Sequence, residues 1–407
     1  MKKFLLIPAL ISAPAWAMDW SLEAGVEGRR FFNEGAYPGQ VDDQWSVRLQ
    51  PELVWDSEDS NGRFTLTPFY RHDFADDERT HADLREAMYM TWGGSWELRA
   101  GIGKVFWGVT ESLHLVDVIN QTDLVEALDG EEKLGQPMVQ GIWLSEAGTW
   151  EAFILPGFRE RTFAGESGRF RFPLEVSDEA RYQAEEEEWH TDLALRWSNS
   201  LELNGYPLDV SASLFHGTSR EPLFEPQVTV TEAGPVVSGL TPYYPLQNQV
   251  GATLQYALEG WLLKAEVLYR DILKDTLNGE ALKDQTAAVT GFEYTFVGPF
   301  DSAADLGVLM EYQSDSRGKD VAIAQNDLFT GVRYAFNDMS SSEILAGFTQ
   351  DLERADSRFF LLEASTRLNP STTIDVTAIV VTASDEEAPL LAFRQDDSIE
   401  AALNFYF

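Results

Sequence analysis

Apolar and polar residues alternate with a period of two along most of the chain, and this pattern constrains the fold more than any other feature. The clearest runs cover residues 45–55, 189–197 and 398–407. A period of two places successive side chains on opposite faces of a β-strand. The apolar faces carry Trp, Tyr and Phe at their rims, and each run has about the ten residues that a tilted strand needs to cross a bilayer. The alternation therefore predicts membrane-spanning strands rather than a soluble β-sandwich.

About 18 such runs occur along the chain, with 16 as the alternative count. The connections provide an independent check, because a barrel that starts in the periplasm has every second connection short. The three longest connections, 108–136, 158–187 and 217–245, all fall on the side opposite the short turns. The sequence therefore predicts an all-β, transmembrane antiparallel β-barrel with short periplasmic turns and long extracellular loops. The predicted strands lie near 19–31, 43–55, 63–72, 82–92, 95–107, 137–145, 149–157, 188–198, 206–216, 246–258, 261–273, 285–297, 303–314, 326–336, 342–351, 358–368, 371–383 and 394–407.

The start of the chain has the three parts of a secretory signal peptide. Two lysines precede an apolar stretch at 4–14, and residues 15–17 supply a small-x-small cleavage site. An uncleaved membrane anchor is the alternative, but the apolar stretch is too short to span a bilayer. We expect residues 1–17 to be removed on export and residues 18–407 to form the barrel.

The composition excludes several classes of function. The chain carries 30 Lys+Arg against 67 Asp+Glu, a formal net charge of −37 at pH 7, and no cysteine. Such an acidic protein lacks the basic face that binding to nucleic acid requires, and no disulfide or cysteine-based metal site can form. His216 and Ser219 are the local candidates for a hydrolytic pair, but they lack an obvious neighbouring orienting residue. We therefore expect no enzymatic activity, no cofactor and no metal centre.

The carboxy-terminal residues Leu403-Asn404-Phe405-Tyr406-Phe407 end the last predicted strand on an aromatic side chain. Together with the signal peptide and the spacing of strands and loops, they resemble Gram-negative outer-membrane β-barrels of the porin type. In that family the assembly machinery reads the terminal aromatic strand. The resemblance therefore implies that Phe405 and Phe407 form the assembly signal and that the protein lies in the cell outer membrane. Residues 104–108 (Lys-Val-Phe-Trp-Gly), followed by 117–120 (Asp-Val-Ile-Asn), look like a signature of uncharacterised porin-like proteins.

Basic residues fall at inward-facing positions of the predicted strands, one on each of the first five and more beyond. A charge in a dry core is prohibitive, whereas a water-filled lumen tolerates many, so the lumen is predicted to be wet at least in part. One interpretation is a basic track that guides anionic solutes by electrostatic focusing. The other is that each cation pairs with a neighbouring carboxylate and braces the wall. The predicted pore-lining basic residues are Arg29, Arg48, Arg71, Arg85, Arg99, Arg196, Lys264, Arg333 and Arg367.

Segment 108–136 is the long connection after the fifth predicted strand and is rich in acidic residues. Its stretch 122–128 has apolar residues at helical spacing and predicts a short helix. In porins one such loop folds into the barrel and narrows it, so the resemblance makes this segment a candidate constriction loop. Its acids would then favour cations, whereas the alternative is a segment that caps the outside. The acidic residues assigned to the constriction are Asp117, Asp123, Glu126 and Asp129.

The sequence thus predicts an outer-membrane, porin-like channel for passive diffusion of small hydrophilic solutes, anionic ones if the basic track operates. A gated export barrel for an acidic polysaccharide and a surface-binding barrel are the alternatives. The expected partners are outer-membrane lipids and lipopolysaccharide, the barrel-assembly machinery and small solutes, whereas the sequence does not fix the oligomeric state. Acidic external loops such as 71–81 could hold divalent cations, because carboxylates suit Ca²⁺ and imidazoles suit transition metals.

Overall fold

The chain forms a closed, all-β antiparallel barrel of 18 strands, which confirms the fold predicted from the alternation. Closure is direct, because the first strand pairs with the second on one side and with the last on the other. The signal-peptide prediction for residues 1–17 falls almost entirely outside the described part of the chain. The computed structural model describes residues 17–57, 61–128, 130–232, 234–274 and 276–407.

The strands lie close to their predicted positions, with two notable differences. The fifth strand ends at Gly103 rather than at 107, because the chain leaves the wall there. The eighth strand continues to Leu203, because Asn204 and Gly205 both adopt positive φ and form a tight hairpin turn. The strands are Ala17–Phe31, Asp43–Asp56, Gly62–Asp73, His81–Trp92, Trp96–Gly103, Gln136–Ser145, Gly148–Pro156, Thr191–Leu203, Tyr206–Thr218, Leu246–Leu258, Trp261–Ile272, Gln285–Val297, Asp305–Asp315, Asn326–Ala335, Glu343–Asp351, Arg358–Asn369, Thr372–Thr382 and Ser398–Tyr406.

The connections alternate between the two ends of the barrel. At the short-turn end they are brief, such as those at 93–95, 146–147 and 259–260. At the long-loop end several connections are much longer, such as those at 104–135 and 157–190. One of them contains an antiparallel hairpin, Leu223–Thr231 paired with Gly234–Tyr244, within the long connection predicted at 217–245. No helix in the described part of the chain is long and apolar enough to cross a membrane.

Aromatic side chains form a belt on the outer surface at the short-turn end. Trp96, Trp143, Trp150 and Trp197 lie directly opposite one another on four neighbouring strands. Exposed aliphatic residues on the outer face, such as Ile154, continue the apolar surface toward the long-loop end. Tryptophan rings prefer the boundary between lipid and water, and an apolar band between such belts is typical of membrane barrels. The outer surface therefore suits a bilayer.

The inner face of the barrel is polar over most of its area but includes one dry patch. Met88, Met138, Phe153, Leu155 and Phe215 point inward and are almost fully buried, and Leu155 has 0 % of its surface exposed. Alternation tells which side chains point inward but not what covers them. These five residues, together called the dry patch, are covered by a segment of chain that enters the lumen.

Candidate pore and the strap across it

Residues 104–135, here called the strap, leave the wall after the fifth strand, cross the inside of the barrel and return at the sixth. Contacts with the far wall establish the crossing. Glu266 accepts hydrogen bonds from the backbone N–H groups of Val109 and Thr110, with N···O distances of 2.6 and 3.0 Å. Glu311 accepts from the N–H groups of the next two residues, at 2.8 Å each. Both carboxylates are buried, and these donors replace the water that they lose.

Glu111 lies where the strap reaches the far wall, and it faces two cations of that wall. Arg333 donates to Glu111 at 2.6 Å, and Lys264 Nζ lies 3.7 Å from the other carboxylate oxygen. Arg333 also lies 3.6 Å from Glu343. The side chains of Arg333 and Glu111 keep part of their surface exposed. These four residues, the tip cluster, are therefore a place where strap, wall and water meet.

Two polar side chains join the two stretches of the sequence signature. Asp117 Oδ1 accepts hydrogen bonds from the N–H groups of Trp107 and Gly108, at 2.7 and 3.0 Å. Asn120 accepts from the N–H of Val105 at 2.9 Å and donates to two backbone carbonyls, one at each end of the strap, at 2.8 Å. The signature residues thus hold the beginning of the strap in shape.

Apolar contacts with the dry patch hold the beginning and the middle of the strap. Trp107, Val116, Val118 and Ile119 are at most 3 % exposed and pack against it. Trp107 meets the ring of Phe153 edge-on, with 5.6 Å between ring centroids. Burial of an apolar side chain of this size contributes about 1.5–3 kcal/mol. These contacts therefore fix the strap against one side of the barrel independently of any charge.

The return arm of the strap, residues 121–128, is latched to the near wall by two buried ion pairs. Glu126 pairs with Arg71 through two contacts of 2.7 Å, and Asp123 accepts from Arg85 at 2.8 Å. Burial alone would raise the pKa of Asp123. The adjacent imidazole of the wall histidine and the Arg85 guanidinium outweigh burial and lower this pKa to about 2. Asp123 is therefore ionised at neutral pH, as the latch requires.

The prediction of a helix at 122–128 is wrong. The backbone forms one turn, in which the carbonyl of Asp123 accepts from the N–H groups of Glu126 and Ala127 at 3.2 and 3.3 Å. The carbonyl of Val125 instead accepts from Arg79 Nε at 2.8 Å. Because the side chain of Arg79, from the connection between the third and fourth strands, takes this acceptor, its hydrogen bond replaces the one that a continuing helix would make.

Arg79 is a buried cation of the latch that the sequence analysis did not single out. It donates to Glu27 at 2.6 Å and to Asp73 at 2.9 Å. Glu27 also accepts from Arg71 at 2.9 Å, so one carboxylate lies between two guanidinium groups. Burial opposes the charge of Arg79, but the carboxylates of Glu27 and Glu126 raise its pKa above the ordinary value. Arg79 lies in a connection without a repeating pattern, so alternation carried no signal for its position.

All of the predicted pore-lining basic residues except Arg367 form ion pairs, and Arg367 has none among the described residues. Bracing of the wall accounts for these contacts, and conduction of anions along the series stays a prediction. Of the predicted constriction acids, Asp117 lies 3.5 Å from Lys133, and Asp129 lies outside the described residues. The pairs are Arg29 with Glu400, Arg48 with Glu23, Arg71 with Glu27 and Glu126, Arg85 with Asp83 and Asp123, Arg99 with Glu97, Arg196 with Glu151, and Lys264 and Arg333 with Glu111.

The predicted assembly signal lies at the seam of the barrel. Phe405 is directly opposite Ala24 of the first strand. Phe407 donates its backbone N–H to the carbonyl of Leu22 at 3.0 Å, and its side chain is largely exposed. Both aromatic residues are thus accessible at the closing strand pair. Their recognition by assembly machinery stays a prediction.

The structure uses the residues considered for hydrolysis and metal binding in other contacts. Ser219 donates its hydroxyl to the carbonyl of Glu221 at 2.8 Å, and His216 contacts the side chain of Asn248 at 2.8 Å. His81, in the loop considered for divalent cations, contacts the latch carboxylates. Across the ranges that the structure describes, no group of three or more His, Asp or Glu side chains is arranged to hold a metal ion.

No protein-family model and no curated protein matches the chain. The chain is similar to solved structures of porins. One is a mutant of Rhodopseudomonas blastica porin, at 12 % identity, 96 % coverage of this chain and a TM-score of 0.42. Another mutant of that porin has 10 % identity, 96 % and 100 % coverage of the two chains and a TM-score of 0.44. Pseudomonas putida OprB at high pH has 11 % identity, 96 % and 94 % coverage and a TM-score of 0.46. Similarity at this low sequence identity and TM-score supports no conclusion about function. The assignment of a barrel fold is based on the strand pairing of the chain itself.

Proposed function

We propose that the protein is an outer-membrane channel for passive diffusion of small hydrophilic solutes, with its short-turn end in the periplasm. The observation that carries the proposal is the strap, which contacts both walls inside a closed barrel with an apolar outer surface. A strap fixed at both walls narrows the lumen without having to move. A narrow, water-filled path between charged groups makes diffusion selective by size and charge.

The exposure of inward-facing side chains supports a constriction in the long-loop half. Near the short-turn end, inward side chains such as Glu52, Asp209 and Arg367 are exposed. Near the long-loop end, inward side chains such as Asp73 and Gln247 are buried. This contrast fits an open vestibule on the periplasmic side that leads to a filled half with a restricted path.

We infer that anions are the preferred class among small hydrophilic solutes. Lys264 and Arg333 both face Glu111 in the tip cluster, so two cations converge on this carboxylate. Arg161 donates to the amide oxygen of Gln121 at 3.1 Å and has no ion-pair partner among the described residues. Cations in a low-dielectric cleft attract anions by focusing their field.

Single-channel recording in planar bilayers tests the function. Full-length protein that shows β-rich circular dichroism should give stable conductance steps in KCl. Under a KCl gradient, the reversal potential should have the sign of anion preference. Arg333→Gln should reduce this potential. The matched control is Arg358→Gln, because Arg358 lies at the rim and donates to Gln350 rather than to a carboxylate.

The outcomes separate the alternatives. Folded protein that never conducts would contradict a diffusion channel and favour a gated export barrel or a surface-binding barrel. Stable steps with no reversal potential would support the channel and contradict the anion preference. A potential of the opposite sign would assign control to the acidic residues of the lumen.

A further inference from the structure

A cavity of about 200 Å³ lies in the long-loop half, where the return arm of the strap meets the connection 157–190. Its apolar walls include the rings of Phe163 and Phe172 and the aliphatic side chains of Leu124 and Leu128. The two rings contact each other in a tilted arrangement, with 6.1 Å between centroids. A concave apolar site of this kind suits a small ligand with an apolar body.

Arg171 provides a charged group in the wall of this cavity. Its guanidinium lies 4.8 Å from the ring centroid of Tyr37 and donates to the carbonyl of Phe172 at 3.1 Å. Its buried Nε has no hydrogen-bond partner within the described structure. Arg394, which donates to the carbonyl of Leu391 at 2.8 Å, also approaches Tyr37. Neither arginine forms an ion pair among the described residues. Arg171 therefore brings to the cavity wall a charge that no described carboxylate pairs, and an anionic ligand would neutralise it.

A second cavity, of about 110 Å³, continues from the first toward the barrel wall. There the inward side chains of Phe359 and Ile379 lie near the ion pair of Arg29 and Glu400. The two cavities together therefore have an apolar side and a charged side between the return arm and the wall. The two cavities share the lining residues Leu124, Leu128, Ala164 and Phe170.

We propose that these two cavities form a binding site for small aromatic carboxylates on the permeation path. The proposal rests on the channel function and narrows its solute class. The ring of the ligand occupies the apolar cavity, and its carboxylate accepts hydrogen bonds from Arg171. Glu166 and Glu175 also line the cavity, but their side chains are exposed, so water and salt screen their charge over roughly 8–10 Å.

Blockade of the single-channel current tests the site with three probes. Benzoate has both a ring and a charge, acetate has the charge without the ring, and benzyl alcohol has the ring without the charge. Benzoate should interrupt the current at about a tenfold lower concentration than either of the others. Only benzoate can both place a ring in the apolar cavity and offer a carboxylate to Arg171. Arg171→Gln should raise the benzoate concentration needed about tenfold, and Arg358→Gln should leave it unchanged.

A second variant tests the site without changing a charge. Ala164→Trp fills the joint between the two cavities and should also weaken benzoate blockade. Its matched control is Ala147→Trp in a short turn, which should leave blockade unchanged. Loss of blockade in an Ala164→Trp protein that still conducts would place the ligand in the cavities rather than at the tip cluster.

The failures of the site and of the channel are distinguishable. Conductance with equal sensitivity to the three probes would overturn the site and leave the channel in place. Equal blockade by benzoate and benzyl alcohol would overturn the role of Arg171. If the folded protein never conducts, the channel function fails. Calorimetric binding of benzoate to wild type and to Arg171→Gln then decides whether the site exists, and equal binding would overturn it.

Discussion

Glu126 of the strap and Arg71 of the barrel wall meet in a two-pronged ion pair, with Nε–Oε1 and Nη2–Oε2 distances of 2.7 Å each. Their side chains are 6 % and 4 % exposed. A buried ion pair adds little net stability relative to well-packed apolar residues, but loss of one partner is costly because the other charge remains buried. The pair therefore acts chiefly as a specific latch that fixes the return arm to one side of the lumen.

Glu126→Gln should release this latch. We expect a loss of about 3–5 kcal/mol in the free energy of unfolding, together with larger fluctuations of the single-channel current. Denaturation followed by circular dichroism measures the first effect, and bilayer recording measures the second. Glu185→Gln, in an exposed loop, should change neither. A Glu126→Gln protein as stable as wild type would show that Glu27 alone compensates Arg71.

The dry patch should contribute more to the free energy of unfolding than the lipid-facing surface beside it. Leu155 is 0 % exposed under the strap, whereas its neighbour Ile154 is 50 % exposed on the outer face. Leu155→Ala should cost about 2–5 kcal/mol, because it leaves a cavity. Ile154→Ala should cost less, since lipid or detergent fills the space. Equal losses in the two variants, measured by denaturant titration, would argue against a dry contact between strap and wall.

Glu111→Gln should increase the anion preference of the channel. The substitution leaves Lys264 and Arg333 without their shared carboxylate at the tip of the strap. The reversal potential under a KCl gradient should therefore shift further toward the anion value. Glu146→Gln, in an exposed short turn, provides the control. An unshifted potential in Glu111→Gln would mean that permeating ions do not pass the tip cluster.

Gly135 permits a close approach between the end of the strap and the barrel wall. A Cβ atom at this position would lie 2.0 Å from the carbonyl oxygen of Leu84, whereas a Cβ at Gly94 would meet nothing within 4 Å. Gly135→Ala should therefore displace the backbone and lower the free energy of unfolding by about 1–3 kcal/mol. The yield of folded barrel should fall as well. Gly94→Ala should fold as wild type. Equal refolding yields on electrophoresis would refute the steric argument.

His114 should make the stability of the strap depend on pH. It contacts Glu131 through Nε2, and its Nδ1 lies 3.9 Å from Glu266. Burial opposes protonation, but these carboxylates raise the pKa of His114 from 6.5 to about 10. A raised pKa stabilises the folded state in full below pH 6.5, and this contribution is lost as the pH rises through about 10.

The melting temperatures of wild type and His114→Gln measure this contribution. Wild type should exceed the variant most at pH 6, and the difference should shrink progressively toward pH 10.5. Groups elsewhere that titrate in the same range affect both proteins and cancel in the comparison. A difference that does not vary with pH would show that His114 acts through packing alone.

The barrel itself could be predicted from the sequence because its signals are local. Trp45 and Leu49 alternate with Ser46 and Arg48, and this period assigns each side chain to one face before any contact is known. The Asn204-Gly205 turn also has a local signal in the sequence, although the connection predicted there, 199–205, is too long. Strand number and order and the alternation of turns and loops all followed from such patterns.

The pore depended on contacts that no local pattern reports. Alternation placed Arg71 and Glu266 inside the barrel, but it could not show that the first holds Glu126 and the second holds the backbone at Val109. The strap has no repeating pattern, and its path is set by apolar side chains such as Trp107 that find a dry surface when distant strands close into a barrel. The sequence by itself determined which residues face inward. Tertiary structure decided which inward charges are neutralised and where the lumen is filled, because both depend on what crosses the barrel.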